Sequence, residues 1–113
     1  MAKTYIWAND GGHAWLSVGI SEIIRLGIAD KISSYSYVKG STAYLEEDCD
    51  AAVFIDAKQK AGEKVETRAG KHWDRWPGRS FASYNKATIT QRFIEFLVDK
   101  WQNRYYNIQY IKQ

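Results

Sequence analysis

The chain has 113 residues, with 16 Lys and Arg against 13 Asp and Glu, so its net charge at neutral pH is +3. This length suits one domain over residues 1–113, and the content of 45% hydrophobic residues, with 5 Trp and 8 Tyr, excludes an intrinsically disordered chain. A single cysteine excludes a disulfide framework, and the lack of a long apolar run or a secretory leader predicts a cytoplasmic protein.

Charge is distributed unevenly along the chain. Residues 1–56 contain 4 basic and 8 acidic residues, whereas residues 57–113 contain 12 basic and 5 acidic ones. A basic half favours an anionic partner. Attraction between two oppositely charged halves of one domain explains the same pattern, so charge alone leaves both interpretations open.

The first third of the chain predicts a hairpin followed by a short helix. Residues 3–8 form the first strand, and residues 13–18 form the return strand. The Asn-Asp-Gly-Gly sequence between them is a turn signal, because these residues tolerate positive φ. Ser21 is expected to cap a short helix that Gly27 ends.

The middle of the chain predicts a second hairpin and a longer helix. Residues 33–38 and 42–45 are the two strands of this hairpin. A helix is expected over residues 49–61, with Asp48 as its N-cap and Gly62 just beyond its end. Helical spacing assigns its buried face to Cys49, Ala52, Val53, Ala57 and Lys60.

The last part of the chain predicts a strand, a loop and the most regular helix. Residues 63–69 alternate as a strand, and residues 70–86 mix bulky aromatic and basic residues with Gly and Pro, as loops do. A helix is expected over residues 88–103, and a final strand over residues 104–113. The apolar stripe of this helix consists of Ile89, Phe93, Phe96, Leu97 and Trp101.

The order of these elements indicates the fold class. Hairpins followed by helices, without regular alternation of strand and helix, are typical of α+β proteins. We therefore predict a single small α+β domain with a mainly antiparallel sheet. The two longer helices are expected to pack on one face of that sheet.

Three stretches of the sequence resemble a family of small proteins from bacterial plasmids and phages. They are Asp10-Gly-Gly-His13 running into Trp15-Leu16, Leu26-Gly-Ile-Ala-Asp-Lys-Ile32 running into Tyr35-Ser-Tyr37, and Tyr44-Leu-Glu-Glu-Asp-Cys-Asp-Ala51. Family members usually have proline where this chain has Gly11, and the segment after residue 70 departs most from them. The resemblance implies a mobile-element origin and an α+β fold, and it assigns no site residue.

The acidic run Glu46, Glu47, Asp48 and Asp50 is a candidate surface for a cation or a basic partner. Together with His13 it supports one alternative, a metal-dependent enzyme. Acidic residues in the first turn of a helix also offset its positive dipole end, which explains the run without any ligand. A continuous strand would also send Glu46 and Glu47 to opposite faces. We therefore predict no metal and no cofactor.

Cys49 is expected to be a small buried residue of its helix. A nucleophilic role would need a base beside the thiol, and His13 is the plausible one. The chain contains no phosphate-binding glycine loop, no nucleophile elbow and no zinc-protease motif. These observations favour a protein that is not an enzyme.

Segment 68–84 interleaves basic and aromatic residues and is the main candidate for partner binding. Cations attract phosphates and carboxylates, and flat rings stack on bases or anchor protein interfaces. The residues assigned to partner binding are Arg68, Lys71, His72, Trp73, Arg75, Trp76 and Arg79. In the alternative interpretation, Trp73 and Trp76 close the open end of the core.

Three hypotheses for function follow. The first is a non-enzymatic phage or plasmid protein that occupies a host protein or nucleoprotein complex, as an anti-CRISPR or anti-restriction inhibitor does. The second is direct binding of nucleic acid or a nucleotide through segment 68–84. The third is the metal-dependent enzyme built on His13 and the acidic run. No membrane partner is expected, and the sequence does not define the oligomeric state.

Overall fold

Six strands form one mixed sheet in the computed structural model of the chain, which describes residues 3–87, 89–91, 94, 97 and 98. The strands are β1 (Lys3–Asp10), β2 (Ala14–Gly19), β3 (Tyr37–Lys39), β4 (Thr42–Glu46), β5 (Val65–Trp73) and β6 (Ala82–Ser83). The helices are α1 (Ile20–Arg25) and α2 (Asp50–Lys60), and residues 86–87, 89–91, 94, 97 and 98 are also helical. Within the described ranges, no helix has the length and apolar character needed to cross a bilayer.

The strand order across the sheet is β5-β1-β2-β4-β3-β6. Four of the five pairings are antiparallel, which confirms the mainly antiparallel sheet and the α+β class. The pairing of β1 with β5 is parallel. Strand β2 pairs antiparallel with both β1 and β4, so β1 and β4 run in the same direction. Strand β5 also runs in this direction, and α2 is the crossover between β4 and β5. The sequence-based prediction lacked this crossover.

The main core lies on one face of the sheet. Alternation along β2 and β4 sends Leu16 and Leu45 to this face, where both are buried. From α2, Phe54 packs edge-on against Tyr5, with ring centroids 5.2 Å apart. Ile89 joins the same buried cluster from the later helical residues. Both longer helices therefore contribute to one core, as predicted.

The opposite face carries a second cluster of rings, which we call the aromatic cluster. It consists of Trp15, Tyr37, Tyr44, Trp76 and Phe81. Trp15 and Trp76 stack with their ring centroids 4.5 Å apart. The chain that follows β5 supplies Trp76, so it lies across this face and covers it.

The helix predicted over residues 88–103 is helical at every described position. Ile89 is fully buried, whereas Leu97, a member of the predicted apolar stripe, is 48% exposed. The stripe residues Phe93, Phe96 and Trp101 lie outside the described residues, as does the strand predicted over residues 104–113.

The buried face of α2 differs from the prediction. Cys49 is the N-cap position, so the assignment of Asp48 as N-cap is wrong. The predicted inner-face residues Cys49, Ala52 and Lys60 are exposed. The helix instead buries Asp50, Ala51, Phe54 and Lys58. The prediction followed small residues, but the ring of Phe54 buries more apolar surface and therefore sets the orientation of the helix.

The second hairpin is shorter than predicted, because residues 33–36 bend before β3 begins. Ser33 and Ser36 donate their hydroxyl hydrogens to Asp50 Oδ2 at 2.7 and 2.5 Å. The backbone N–H of Ser33 donates to Asp50 Oδ1 at 3.0 Å. A buried carboxylate needs such donors, so Asp50 holds these residues out of the strand.

The segment predicted as a loop, residues 70–86, is more ordered than expected. Strand β5 continues to Trp73, a 3₁₀ turn follows at Pro77–Ser80, and β6 pairs with β3. A bulge interrupts the pairing of β5 with β1 near Gly70. A Cβ atom at Gly70 would lie 2.8 Å from the carbonyl oxygen of Trp7, so only glycine fits there.

Candidate functional site

A cavity of about 370 Å³ opens beside the aromatic cluster, where β2 begins and β4 ends. Its lining residues are His13, Trp15, Tyr35, Tyr37, Glu46, Asp48, Cys49 and Arg79. Small-ligand sites typically measure about 300–1,000 Å³, so the cavity is large enough for a small ligand. Residues from all three stretches that carry the family resemblance line it, and Arg79 of segment 68–84 joins them.

Asp10 connects the first turn to the chain that follows β5. Its carboxylate accepts hydrogen bonds from the guanidinium of Arg79 and from the backbone N–H of Trp76. The backbone N–H groups of Gly12 and His13 also donate to Asp10 Oδ1. The hydrogen bonds from Arg79 first, and then from Trp76, hold the pKa of Asp10 well below its ordinary value.

Trp15 and Arg79 form one wall of the cavity. The Arg79 guanidinium lies 4.9 Å from the ring centroid of Trp15, a cation–π contact. Arg79 binds Asp10 through Nε and Nη2, and its Nη1 makes no hydrogen bond to the described residues. Trp15 is 2% exposed, and its buried indole N–H likewise has no acceptor in the described part of the chain.

Two members of the acidic run, Glu46 and Asp48, also line the cavity, and the structure brings His13 to the run. Glu46 Oε2 accepts the backbone N–H groups of Asp48 and Cys49, both at 2.9 Å. His13 Nδ1 lies 3.8 Å from Glu47 Oε1. One potential ligand atom from each of His13, Glu46, Glu47 and Asp48 lies within 4.8 Å of the others.

Two members of the predicted acidic surface are not on the surface. Asp50 is 2% exposed and accepts hydrogen bonds from the hydroxyls of Ser33 and Ser36. Glu46 is 9% exposed. Glu47 and Asp48 are exposed. The expectation that strand alternation would separate Glu46 from Glu47 is wrong, because β4 ends at Glu46 and Glu47 already belongs to a turn.

Cys49 is exposed, which corrects its assignment to a buried helix face. Partial desolvation of the thiol by neighbouring atoms first, and then hydrogen bonding with Glu46, raise the thiol pKa above its ordinary value. A nucleophilic cysteine needs a lowered thiol pKa. Its surroundings therefore oppose the Cys49–His13 pair as a nucleophile and base.

The partner-binding residues predicted in segment 68–84 separate into two groups. Arg68, Lys71, His72 and Arg75 are exposed, and Trp73 is half-buried beside Lys71 Nζ, which lies 4.0 Å from the ring centroid. Trp76 is 5% exposed within the aromatic cluster, and Arg79 is committed to Asp10. The burial of Trp76 agrees with the alternative of a core plug, and its assignment to partner binding stays a prediction.

The exposed basic residues of β5 differ from most other cations in the structure. Lys3, Arg25, Lys58, Lys60 and Arg79 each lie within 4.0 Å of a carboxylate. Arg68, Lys71 and Arg75 have no carboxylate partner among the described residues, although Glu66 and Asp74 belong to the same stretch of chain. Lys31, Lys39, Lys64 and Lys86 also lack such a partner, so the three cations of β5 and the turn after it are distinguished by lying within eight residues of one another in the chain.

The sequence-based reasoning missed Asp10 and Trp15. Asp10 precedes two glycines, and an Asp at the start of a turn commonly accepts backbone hydrogen bonds. Its role as the acceptor within the first turn could therefore be predicted from the sequence. Its pairing with Arg79 had no signal in the sequence, because 69 residues separate the two.

No protein-family model, curated protein or solved structure matches the chain.

Proposed function

We propose that this chain is a non-enzymatic binding protein that recognises a partner through the exposed basic residues of β5 and the turn after it. We call this stretch of the edge strand and the turn after it the basic strip, and it consists of Arg68, Lys71, His72, Trp73 and Arg75. The observation that carries the proposal is the set of exposed cations without carboxylate partners in the described residues. Such cations gain most when an acidic partner supplies the missing carboxylates.

The composition of the strip favours a protein partner over nucleic acid. Glu66 and Asp74 interrupt the positive charge, and each carboxylate repels a phosphate backbone. Trp73, with Lys71 over its ring, supplies a large aromatic group next to charged ones. Tryptophan and arginine are the residues that most often dominate protein interfaces.

The partner class that we propose is a protein or nucleoprotein complex of a bacterial host, occupied in the cytoplasm as an anti-CRISPR or anti-restriction inhibitor would do. The support for this class is the resemblance of three stretches to small phage and plasmid proteins. The basic strip predicts that the contacted surface of the partner is acidic.

A capture experiment with matched variants tests the proposal. The immobilised protein is incubated with nuclease-treated bacterial lysate, beside a variant carrying Arg68→Ala, Lys71→Ala and Arg75→Ala. The control variant carries Lys31→Ala, Lys60→Ala and Lys86→Ala, which removes the same charge from exposed positions elsewhere. We expect the wild type and the control to retain one defined protein partner that the strip variant loses.

Two results would contradict this function. Equal capture by the strip variant would show that the basic strip is not the recognition surface. Capture from a parallel untreated lysate that is absent from the nuclease-treated one, together with a steep fall of affinity for a purified oligonucleotide as salt rises, would instead support the second hypothesis of direct nucleic-acid binding.

A further inference from the structure

We propose that His13, Glu46, Glu47 and Asp48 form a binding site for a divalent transition-metal ion. Three of these residues, His13, Glu46 and Asp48, line the cavity beside the aromatic cluster. No residue of the basic strip lines it, and the proposed binding function does not require the metal site. Three separate pieces of local structure supply the ligands: the turn before β2, the end of β4 and the turn before α2.

The distances between the side chains fit a metal ion. One ligand atom from each of the four residues lies within 4.8 Å of the others. Metal–oxygen and metal–nitrogen bonds of roughly 2.0–2.2 Å place neighbouring ligand atoms about 3–4 Å apart. Small rotations of the exposed side chains of Glu47 and Asp48 bring their oxygen atoms from the present separations of up to 4.8 Å to those of a bound metal.

The types of ligand atom select the class of metal. Mg²⁺ and Ca²⁺ bind almost entirely through oxygen, whereas an imidazole nitrogen with carboxylates suits Zn²⁺ and similar transition-metal ions. Three consecutive carboxylate-bearing positions, Glu46 to Asp48, repel one another, and a dication relieves that repulsion. His13 is the one basic side chain within 4.0 Å of them among the described residues.

Glu46 and the turn that carries His13 are held in place before an ion arrives. Glu46 is 9% exposed, and its Oε2 is fixed by two backbone N–H groups, which leaves Oε1 as the ligand atom that we assign. The turn that carries His13 is fixed because Asp10 Oδ1 accepts the backbone N–H of His13 at 3.2 Å. Such supporting hydrogen bonds reduce the ordering that metal binding requires.

An independent observation points to a ligand in the same cavity. Trp15 lines it, is 2% exposed, and has a buried indole N–H without an acceptor in the described part of the chain. An indole N–H can only donate, and leaving it unpaired in a buried position is unfavourable. A water or other oxygen ligand completing the coordination of the metal would supply an acceptor to this part of the cavity.

Titration of the protein with ZnCl₂ tests the site, using protein first treated with EDTA and then dialysed. We expect isothermal titration calorimetry to show one Zn²⁺ per chain with micromolar or tighter affinity. His13→Ala should weaken binding at least tenfold, and Glu47→Gln should weaken it severalfold. His72→Ala is the matched control, because it removes the other histidine of the chain, and its affinity should stay within twofold of the wild type.

A second readout separates loss of the site from loss of the fold. Zn²⁺ should raise the melting temperature of the wild type and of His72→Ala but not that of His13→Ala, because a ligand that binds the native state stabilises it. The metal-free variants should melt with the wild type. Equal Zn²⁺ affinity of His13→Ala and the wild type, loss of binding in His72→Ala, or no binding by the wild type at millimolar Zn²⁺ would overturn the proposal.

Discussion

The carboxylate of Asp10 holds the guanidinium of Arg79 through two hydrogen bonds, from Nε to Oδ2 at 2.7 Å and from Nη2 to Oδ1 at 2.9 Å. The same carboxylate accepts the backbone N–H of Trp76 at 3.0 Å. One side chain at the end of β1 thus fixes the chain that follows β5 against the sheet. The packing of Trp76 and the wall of the cavity both depend on this contact.

Replacing Asp10 is expected to make stability less dependent on pH. The native pKa of Asp10 lies below its unfolded value, so its ionised form stabilises the fold fully above about pH 5, and this contribution is lost as pH falls through about 4 and lower. Asp10→Asn should therefore be less stable than the wild type at pH 7, and the difference should shrink between pH 5 and pH 2. Urea denaturation at several pH values measures it.

The control for this prediction is Asp56→Asn, which removes a carboxylate from the exposed ion pair with Lys60. Its free energy of unfolding at pH 7 should lie within about 0.5 kcal/mol of the wild type, because exposed pairs contribute little. A gap between Asp10→Asn and the wild type that stays constant down to pH 2 would contradict the role given to Asp10.

Truncation of Trp76 is expected to destabilise the protein. Trp76 is 5% exposed and contacts four other rings of the aromatic cluster, so Trp76→Ala should cost about 3–5 kcal/mol of unfolding free energy. Trp73→Ala is the matched control three positions earlier, and for this half-buried ring we expect a loss below about 2 kcal/mol. Equal losses in urea denaturation would show that Trp76 does not close this face.

Two members of the acidic run, Asp48 and Asp50, are expected to respond differently to truncation. Asp50→Ala removes the acceptor for the hydroxyls of Ser33 and Ser36 and should destabilise by about 1.5–3 kcal/mol. Asp48→Ala removes an exposed carboxylate and should change stability by less than about 0.5 kcal/mol when EDTA is present. Denaturant titrations of both variants compare them, and similar losses would refute the buried role of Asp50.

Removal of the Lys58 charge is expected to weaken the contact between α1 and α2. Lys58 Nζ donates to Glu22 at 2.9 Å and to Glu63 at 3.2 Å. Burial alone would lower the pKa of Lys58, but Tyr5 and these carboxylates outweigh it and raise the pKa. Lys58→Met should therefore cost about 1–3 kcal/mol, because Glu22 loses a buried donor.

The matched control for Lys58 is Lys60→Met on the exposed side of α2. Its ammonium lies 3.0 Å from Asp56, and both side chains are largely exposed, so we expect a change below about 0.5 kcal/mol. Thermal and urea denaturation measured on both variants at pH 7 make the comparison. A Lys58→Met protein as stable as Lys60→Met would show that the buried ion pair contributes nothing net.

Local signals in the sequence determined much of the first two thirds of the fold. Gly27, Gly40 and Gly62 have positive φ values of 71°, 59° and 78°, and each lies where a predicted helix or hairpin strand ends. Positive φ is accessible to glycine at little cost, so one residue defines such a turn without help from distant parts of the chain. Both hairpins, α1 and α2 were therefore predictable.

Contacts between distant residues decided what the sequence left open. The parallel pairing of β1 with β5, the burial of Trp76 and the meeting of His13 with the acidic run all join residues far apart in the chain. Composition made segment 68–84 equally suited to a binding loop and to a core plug. The choice depended on whether a partner for Trp76 and Arg79 existed elsewhere, and Asp10, 69 residues before Arg79, supplied it. Periodicity and turn chemistry report on neighbours within a few residues, whereas burial and ion pairing depend on which surfaces the completed sheet brings together.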